Sequence, residues 1–245
     1  MISARGLVKA YPTGLQVLAG VDFTVSSGSF CSLVGPSGCG KSTLLRILAG
    51  IEKSSGGSFS VELADSRNLS YVFQDPTLLP WLSVAANVRL PLELRGQTQG
   101  QARAAVTEVL ERVGLADFSA AYPNELSGGM KMRASIARAL VTRPGALLLD
   151  EPFAALDELA RARLHVELMN LWRRENWTAL FITHNIAEAI FLAERVLVMS
   201  SRPGRVAAEF PVPFPQPRAP ALRSSPEFAA LAGRVFSALE ATSAP

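Results

Sequence analysis

The nine residues from Gly35 to Thr43 read GPSGCGKST, and they follow Phe30-Cys31-Ser32-Leu33-Val34, an apolar run with the length and composition of a buried strand. In the spacing G-x-x-x-x-G-K-[ST], glycines admit backbone angles that a Cβ forbids, so successive N–H groups can converge on a polyphosphate. Lys41 adds a point charge, and Ser42 or Thr43 adds a hydroxyl suited to Mg²⁺. Leu44, Leu45, Ile47 and Leu48 predict a helix from Ser42 to Gly50, with the positive end of its dipole aimed at the same anion. A chance match in a chain of this length has odds on the order of one in a hundred, and the strand-then-helix context lowers them further. Gly35, Pro36, Ser37, Gly38, Cys39, Gly40, Lys41, Ser42 and Thr43 are therefore read as a nucleotide phosphate cradle. Its cysteine has two readings: a thiol made acidic by the helix N-terminus, or a small loop filler.

At 245 residues the chain has room for one substantial α/β domain with an insert and a tail. The 24 Lys and Arg against 21 Asp and Glu leave only +3, too weak a bias to argue for a nucleic-acid partner. With charged residues at 18%, the surface is light in charge, as expected where partners cover part of it. No run has the roughly 18 uninterrupted apolar residues of a membrane span, and the N-terminal MISARGLVKAYP lacks the apolar core of a signal peptide. A cytosolic chain is expected. Cys31 and Cys39 offer neither a disulfide framework nor a metal-ligand spacing, which fits a reducing compartment.

From Leu7 to Ser60, short apolar runs alternate with turn signals at Thr13-Gly14, Ser26-Ser27-Gly28 and Ser54-Ser55-Gly56-Gly57, as strands beside the phosphate-loop helix would. A strand from Leu69 to Phe73 ends before Gln74-Asp75-Pro76. Over about 77–143 the pattern turns helical: Ala102, Ala105, Val106, Val109, Leu110 and Val113 form a stripe at helical spacing, with Gly114 as its C-cap. This block reads as a helical subdomain inserted into a sheet-based core.

Ala146 to Leu149 is an apolar run that ends in Asp150-Glu151, the pattern of a central parallel strand opening onto a ligand crevice. A helix through Leu164, Leu168 and Leu171 follows, with His165 read as a helix-surface residue. Strands at Ala179 to Ile182, ending in Thr183-His184, and at Arg195 to Ser200 complete a mainly parallel α/β sheet. From Pro211 to Ser225 the prolines predict an extended surface segment, and Phe228, Leu231, Val235 and Leu239 a short terminal helix packed on the core.

A phosphate loop alone leaves a nucleotide kinase, a GTPase and other ATPases open. Leu126-Ser127-Gly128-Gly129-Met130, with Tyr122 to Glu125 before it and Lys131 to Leu140 after it, resembles the LSGGQ signature of ABC-type ATPase domains, with Met130 where glutamine is commonest. The resemblance spans nearly all of residues 1–210, leaving 211–245 as a tail. It implies a P-loop NTPase core with an antiparallel β subdomain. It implies ATP and Mg²⁺ as ligands: Tyr11 stacks on adenine, Gln74 reaches Mg²⁺ and the attacking water, Ser42 and Asp150 hold the metal, and Glu151 acts as base. His184 matches the switch histidine, and Ala154-Ala155-Leu156-Asp157 the loop that touches the opposite subunit. The resemblance further implies that Ser127, Gly128 and Gly129 complete the ATP site of a second ATPase subunit in a head-to-tail homodimer, with Lys41, Glu151 and His184 catalytic.

The stretch from Phe73 to Val84, FQDPTLLPWLSV, resembles importers of the nitrate, sulfonate, taurine and bicarbonate group, and Ser201 to Arg205 agrees. That resemblance implies a membrane permease partner, a solute-binding protein acting indirectly, and a place on the cytoplasmic face of the cell membrane. An exporter subunit and a soluble non-transport ABC ATPase stay open at this level.

Overall fold

A computed structural model describes residues 1–63, 68–154 and 156–243. Strands β1 (Ile2–Ala10), β2 (Gln16–Val25) and β4 (Gly56–Val61) form an antiparallel sheet in the order β2-β1-β4. A six-stranded sheet carries β3 (Phe30–Val34), β5 (Leu69–Val72), β6 (Ala146–Asp150), β7 (Thr178–Ile182), β8 (Arg195–Met199) and β9 (Val206–Pro211) in the order β5-β6-β7-β3-β8-β9. All its pairings are parallel except β8 with β9.

β3, β6 and β7 are buried along their whole length, so their apolar residues serve two faces in alternation. Phe30, Val34, Leu147, Leu149, Ala179 and Phe181 join one core, while Cys31, Leu33, Leu148, Leu180 and Ile182 join the other. The second core is closed by the antiparallel sheet and α1 (Lys41–Leu48). The first is closed by α2 (Val84–Glu93), α3 (Gln99–Arg112), α4 (Gly128–Leu140), α5 (Glu158–Glu175), α6 (Ile186–Leu192) and α7 (Pro226–Ser243). At its centre Phe30 lies 5.8 Å from the Trp172 ring, edge-on, and 6.0 Å from Phe181, a burial that stabilises the sheet by about 2–3 kcal/mol.

The α/β class, the antiparallel subdomain and the helical insert expected from the sequence are all present. The insert is α2 to α4. Thr98 and Gln101 form a reciprocal capping box at the start of α3, and Gly114 (φ +65°) ends it. Four expectations are corrected. α1 runs one residue earlier than expected at its start, because Gly40 at φ +106° already turns the chain into the helix. His165 is fully buried rather than on the helix surface: it shares the inward face of α5 with Leu168, Met169 and Trp172, at i+3, i+4 and i+7. The proline-rich segment is not simply superficial, since Val212 and Arg218 are buried and Arg218 donates to the carbonyls of Ile190, Phe191 and Ala193, the free C-terminal end of α6. The terminal helix α7 spans 18 residues, longer than the short helix expected, with Ser225 Oγ accepting from Phe228 N and Phe228, Leu231 and Val235 buried.

Candidate active site

The carboxyl ends of β3, β6 and β7 lie side by side: β6 ends in Asp150, while β3 and β7 end in Val34 and Ile182 and lead directly into the phosphate loop and Thr183-His184. Register places Asp150 of β6 opposite Ile182 of β7, and Leu33 of β3 opposite the same Ile182. The turns after the three strands therefore meet at one edge, the usual place for a ligand in an open α/β sheet.

After β3 the chain forms the phosphate loop. Lys41 is only 6% exposed, and its Nζ donates to the carbonyls of Gly35 at 2.8 Å and Pro36 at 3.0 Å, so the ammonium sits curled under the loop. Ser42 Oγ donates to Asp150 Oδ1 at 2.8 Å. The two oxygens that the sequence nominates for a metal are thus already adjacent. Ser37 and Gly38 are exposed at the mouth of the loop, whereas Cys39 is buried. Burial pushes the Cys39 thiol above its ordinary value, so it behaves as loop filler rather than as an acidic thiol.

After β6, Glu151 adopts φ +45°, a left-handed conformation unusual for a residue with a Cβ. Its N–H donates to the Ile182 carbonyl at 3.0 Å, which holds this bend against β7. The bend brings Glu151 Oε2 to 2.8 Å from His184 Nδ1. His184 is 62% exposed and Glu151 19%, so the pair faces outward at the rim.

Not every nominated residue converges here. Gln74 is exposed on the bend after β5, and no hydrogen bond among the described residues ties it to Asp150 or Ser42. Tyr11 stands with Lys9, whose Nζ is 4.8 Å from its ring centroid and 2.9 Å from Glu52. Ser127 caps α4, its Oγ accepting from Met130 N at 3.3 Å, and both Ser127 and Gly128 are exposed. Of the loop nominated to touch a second subunit, Ala155 lies outside the described residues, while Asp157 caps α5 by accepting from Ala160 N at 2.9 Å.

Residues 18–154 match the family model described as ABC transporter. The chain belongs to the ABC transporter family. It is 42% identical over 245 residues to the aliphatic sulfonates import ATP-binding protein SsuB 1 of Rhizobium johnstonii, covering 98% of this chain and 86% of that one. Among solved structures, a dimeric bacterial ABC transporter cassette matches with a TM-score of 0.77 at 30% identity, over 87% of this chain and all (100%) of that one. A dimeric post-hydrolysis state of that cassette, bound to ADP and Pi, matches with a TM-score of 0.77 at 31% identity, over 87% of this chain and 100% of the other.

Three contributors to this ABC site were not read from the sequence. Tyr71 donates its hydroxyl to Asp150 Oδ2 at 2.9 Å; burial and the Asp150 charge hold the phenol protonated well above its ordinary range, so it remains a donor. Arg202 donates to the Gly38 carbonyl at 3.0 Å through Nε and at 2.8 Å through Nη2. Gly204 packs against the loop so closely that a Cβ there would lie 2.2 Å from the Cys39 carbonyl oxygen. The only sequence signal for the last two was the Ser201 to Arg205 match to the importer group. Gly204→Ala must displace the loop, an overpacking that costs about 1–3 kcal/mol. ATP affinity is expected to fall about tenfold on nucleotide titration, about 1.4 kcal/mol. Parent affinity in that variant would show that the loop does not depend on this contact.

Proposed function

We propose that the chain is the ATP-hydrolysing subunit of an importer for organosulfonate-type or related small anionic solutes, working as a head-to-tail pair of copies. The observation that carries the catalytic part is the juxtaposition, at one sheet edge, of the Lys41 loop, the Ser42–Asp150 pair and the Glu151–His184 pair. The sulfonate class rests on likeness to the Rhizobium johnstonii import protein.

Phosphoryl transfer to water needs positioning and charge stabilisation more than covalent help from the protein. In this reading, Lys41 exchanges its carbonyl contacts for phosphate oxygens, and the loop N–H groups bind the remaining phosphate charge. Glu151 Oε accepts the proton of the attacking water, while His184 keeps that carboxylate oriented. The residues present fit a magnesium ion: Ser42 and Asp150 offer hard oxygens, and Gln74 is the third nominated ligand. Among the described residues, no cluster of three His, Cys, Asp or Glu side chains could hold a metal unaided, which suits an ion that arrives with phosphate oxygens. When bound, the ion neutralises phosphate charge.

The exposed Ser127-Gly128 turn at the start of α4 supports completion of each site by a second copy, since its N–H groups are free to meet an anion. A permease partner is supported by the helical insert, where Trp81 is 70% and Leu94 80% exposed. Asn87 is fully buried and pins the Trp81 loop, accepting from Leu79 N at 2.8 Å and donating to the Leu79, Leu82 and Ser83 carbonyls. No helix among the described residues is long and apolar enough to cross a membrane. In this reading the permease supplies the path and this chain docks at its cytoplasmic face. A solute-binding protein acts on the far side.

The test is reconstitution in vesicles with a co-purifying permease and its solute-binding protein. ATP-dependent accumulation of a labelled alkanesulfonate is expected. ATP hydrolysis without uptake of any alkanesulfonate would reject the solute class and leave the ATPase reading standing.

A further inference from the structure

A second set of polar side chains lies directly behind the Glu151–His184 pair, with Thr183, His165 and Glu188 buried and Arg161, Asn185 and Arg223 half-buried, all outside the stretch that the family model matches. Thr183 and Asn185 flank His184. Thr183 Oγ1 donates to Glu188 Oε2 at 2.5 Å and accepts from Asn185 N at 3.0 Å, while Asn185 Oδ1 accepts from Glu188 N at 3.1 Å. The turn that carries His184 is therefore closed on Glu188, which is 5% exposed.

The other oxygen of Glu188 faces α5. His165 Nε2 is 3.5 Å from it and Arg161 Nε 3.4 Å. Arg161 also donates to the Leu156 carbonyl at 2.7 Å, in the loop nominated to touch a second subunit. On its far side, His165 Nδ1 is 2.6 Å from Arg223 Nη2, and Arg223 belongs to the short 3₁₀ turn Pro220–Ser224 of the C-terminal segment. A guanidinium only donates, so Nδ1 must be the acceptor and the ring hydrogen must sit on Nε2, which lies 3.5 Å from Glu188 Oε1 without forming a hydrogen bond to it. Burial holds His165 below its ordinary pKa, against the opposing pull of Glu188 and with Arg223 and Arg161 reinforcing the neutral form. The His165 ring lies 4.9 Å from Phe153, edge-on, and Arg223 stacks 4.2 Å above Phe191.

We propose that Arg223, His165 and Glu188 are positioning residues: a buried relay through which the C-terminal segment holds the Thr183-His184-Asn185 turn against Glu151. The inference rests on the Glu151–His184 reading above. Packing alone does not account for the residues found, because an apolar side chain at 165 would fill the same space between Phe153 and Phe191 without carrying buried polar atoms. A ring that accepts from Arg223 and turns its N–H edge to the Glu188 carboxylate, 3.5 Å away, couples the two electrostatically and is one small ring movement from a hydrogen bond.

Two substitutions separate the relay from packing. His165→Phe keeps the aromatic contacts and removes both ring nitrogens. His165→Gln loses the ring but keeps an acceptor and a donor. The relay requires kcat to fall about fivefold to tenfold in His165→Phe and in Arg223→Ala, with the KM for ATP within about twofold, and to stay within about twofold of the parent in His165→Gln. Packing alone requires the reverse order, with Phe tolerated and Gln impaired, and that order would overturn the proposal.

The chain has two histidines, so nitrogen-15 spectra of labelled imidazoles give a readout that a structural role would not move. His165 is expected as the neutral Nε2–H tautomer, and Arg223→Ala is expected to shift the ring resonances of His184. An unmoved His184 with parent kcat in Arg223→Ala refutes the relay. That failure is distinct from failure of the site reading, which shows instead as parent turnover in a Glu151→Gln chain, whatever the spectra of Arg223→Ala.

Discussion

A Glu151→Gln chain is expected to hydrolyse ATP at least about 100-fold more slowly than the parent, the lower range of what a positioned general base contributes, while ATP affinity stays within about twofold. The amide preserves shape and the approach to His184 but accepts a proton far less readily than a carboxylate. Glu151 is also held at φ +45° by its own N–H bond to Ile182, so the substitution leaves the bend in place and isolates the chemistry. Because ATP is then bound and not consumed, the closed pair accumulates. Moving such an equilibrium from 1:99 to 99:1 takes about 5.5 kcal/mol of preferential binding, and contacts of the exposed Ser127-Gly128 turn with the partner's nucleotide are where that preference would arise. Size-exclusion chromatography in ATP should show a dimer that the parent holds only transiently. Turnover at the parent rate would remove Glu151 from the role.

Lys41→Ala is expected to weaken ATP binding by about 100-fold, or about 2.7 kcal/mol, the scale of one or two charge-assisted hydrogen bonds to phosphate. Lys41 is 6% exposed and its ammonium spans the Gly35 and Pro36 carbonyls, so its loss removes the phosphate partner and the brace of the loop together. Lys41→Arg is expected to fail nearly as badly, since a planar fork cannot occupy the pocket of a compact point charge. Calorimetric titration with ATP decides the matter: a Lys41→Ala chain that binds at parent affinity would undo the phosphate-loop assignment.

What could be read from the sequence was whatever is encoded locally. The buried strands appear as unbroken apolar runs, the stripe from Ala102 to Val113 keeps helical spacing, and the phosphate loop carries its own glycines. Ser42 and Asp150 were nominated separately, and the structure places them 2.8 Å apart. What escaped depends on residues far apart in the chain. Tyr71 meets Asp150 across 79 positions and Arg202 meets Gly38 across 164, distances over which no periodicity carries information. The burial of His165 was within reach, since Leu168, Met169 and Trp172 mark its face of α5, but the residue type outweighed the pattern. β9 was missed because a strand at a sheet edge, half exposed and ending in a proline, resembles a loop.

The pairing of β3 bears on how the chain comes off the ribosome. Residues 30–34 and the phosphate loop emerge early, yet both strands that flank β3, at Thr178–Ile182 and Arg195–Met199, are made some 150 residues later. Gly204, which seats the loop from outside, comes later still. Synthesis at about 5–20 residues per second leaves the nascent segment without its neighbours for on the order of ten seconds or more. Throughout that interval the apolar strand must be shielded by other means, and the nascent chain gains no stability from cellular ATP until those later strands and Gly204 have been made.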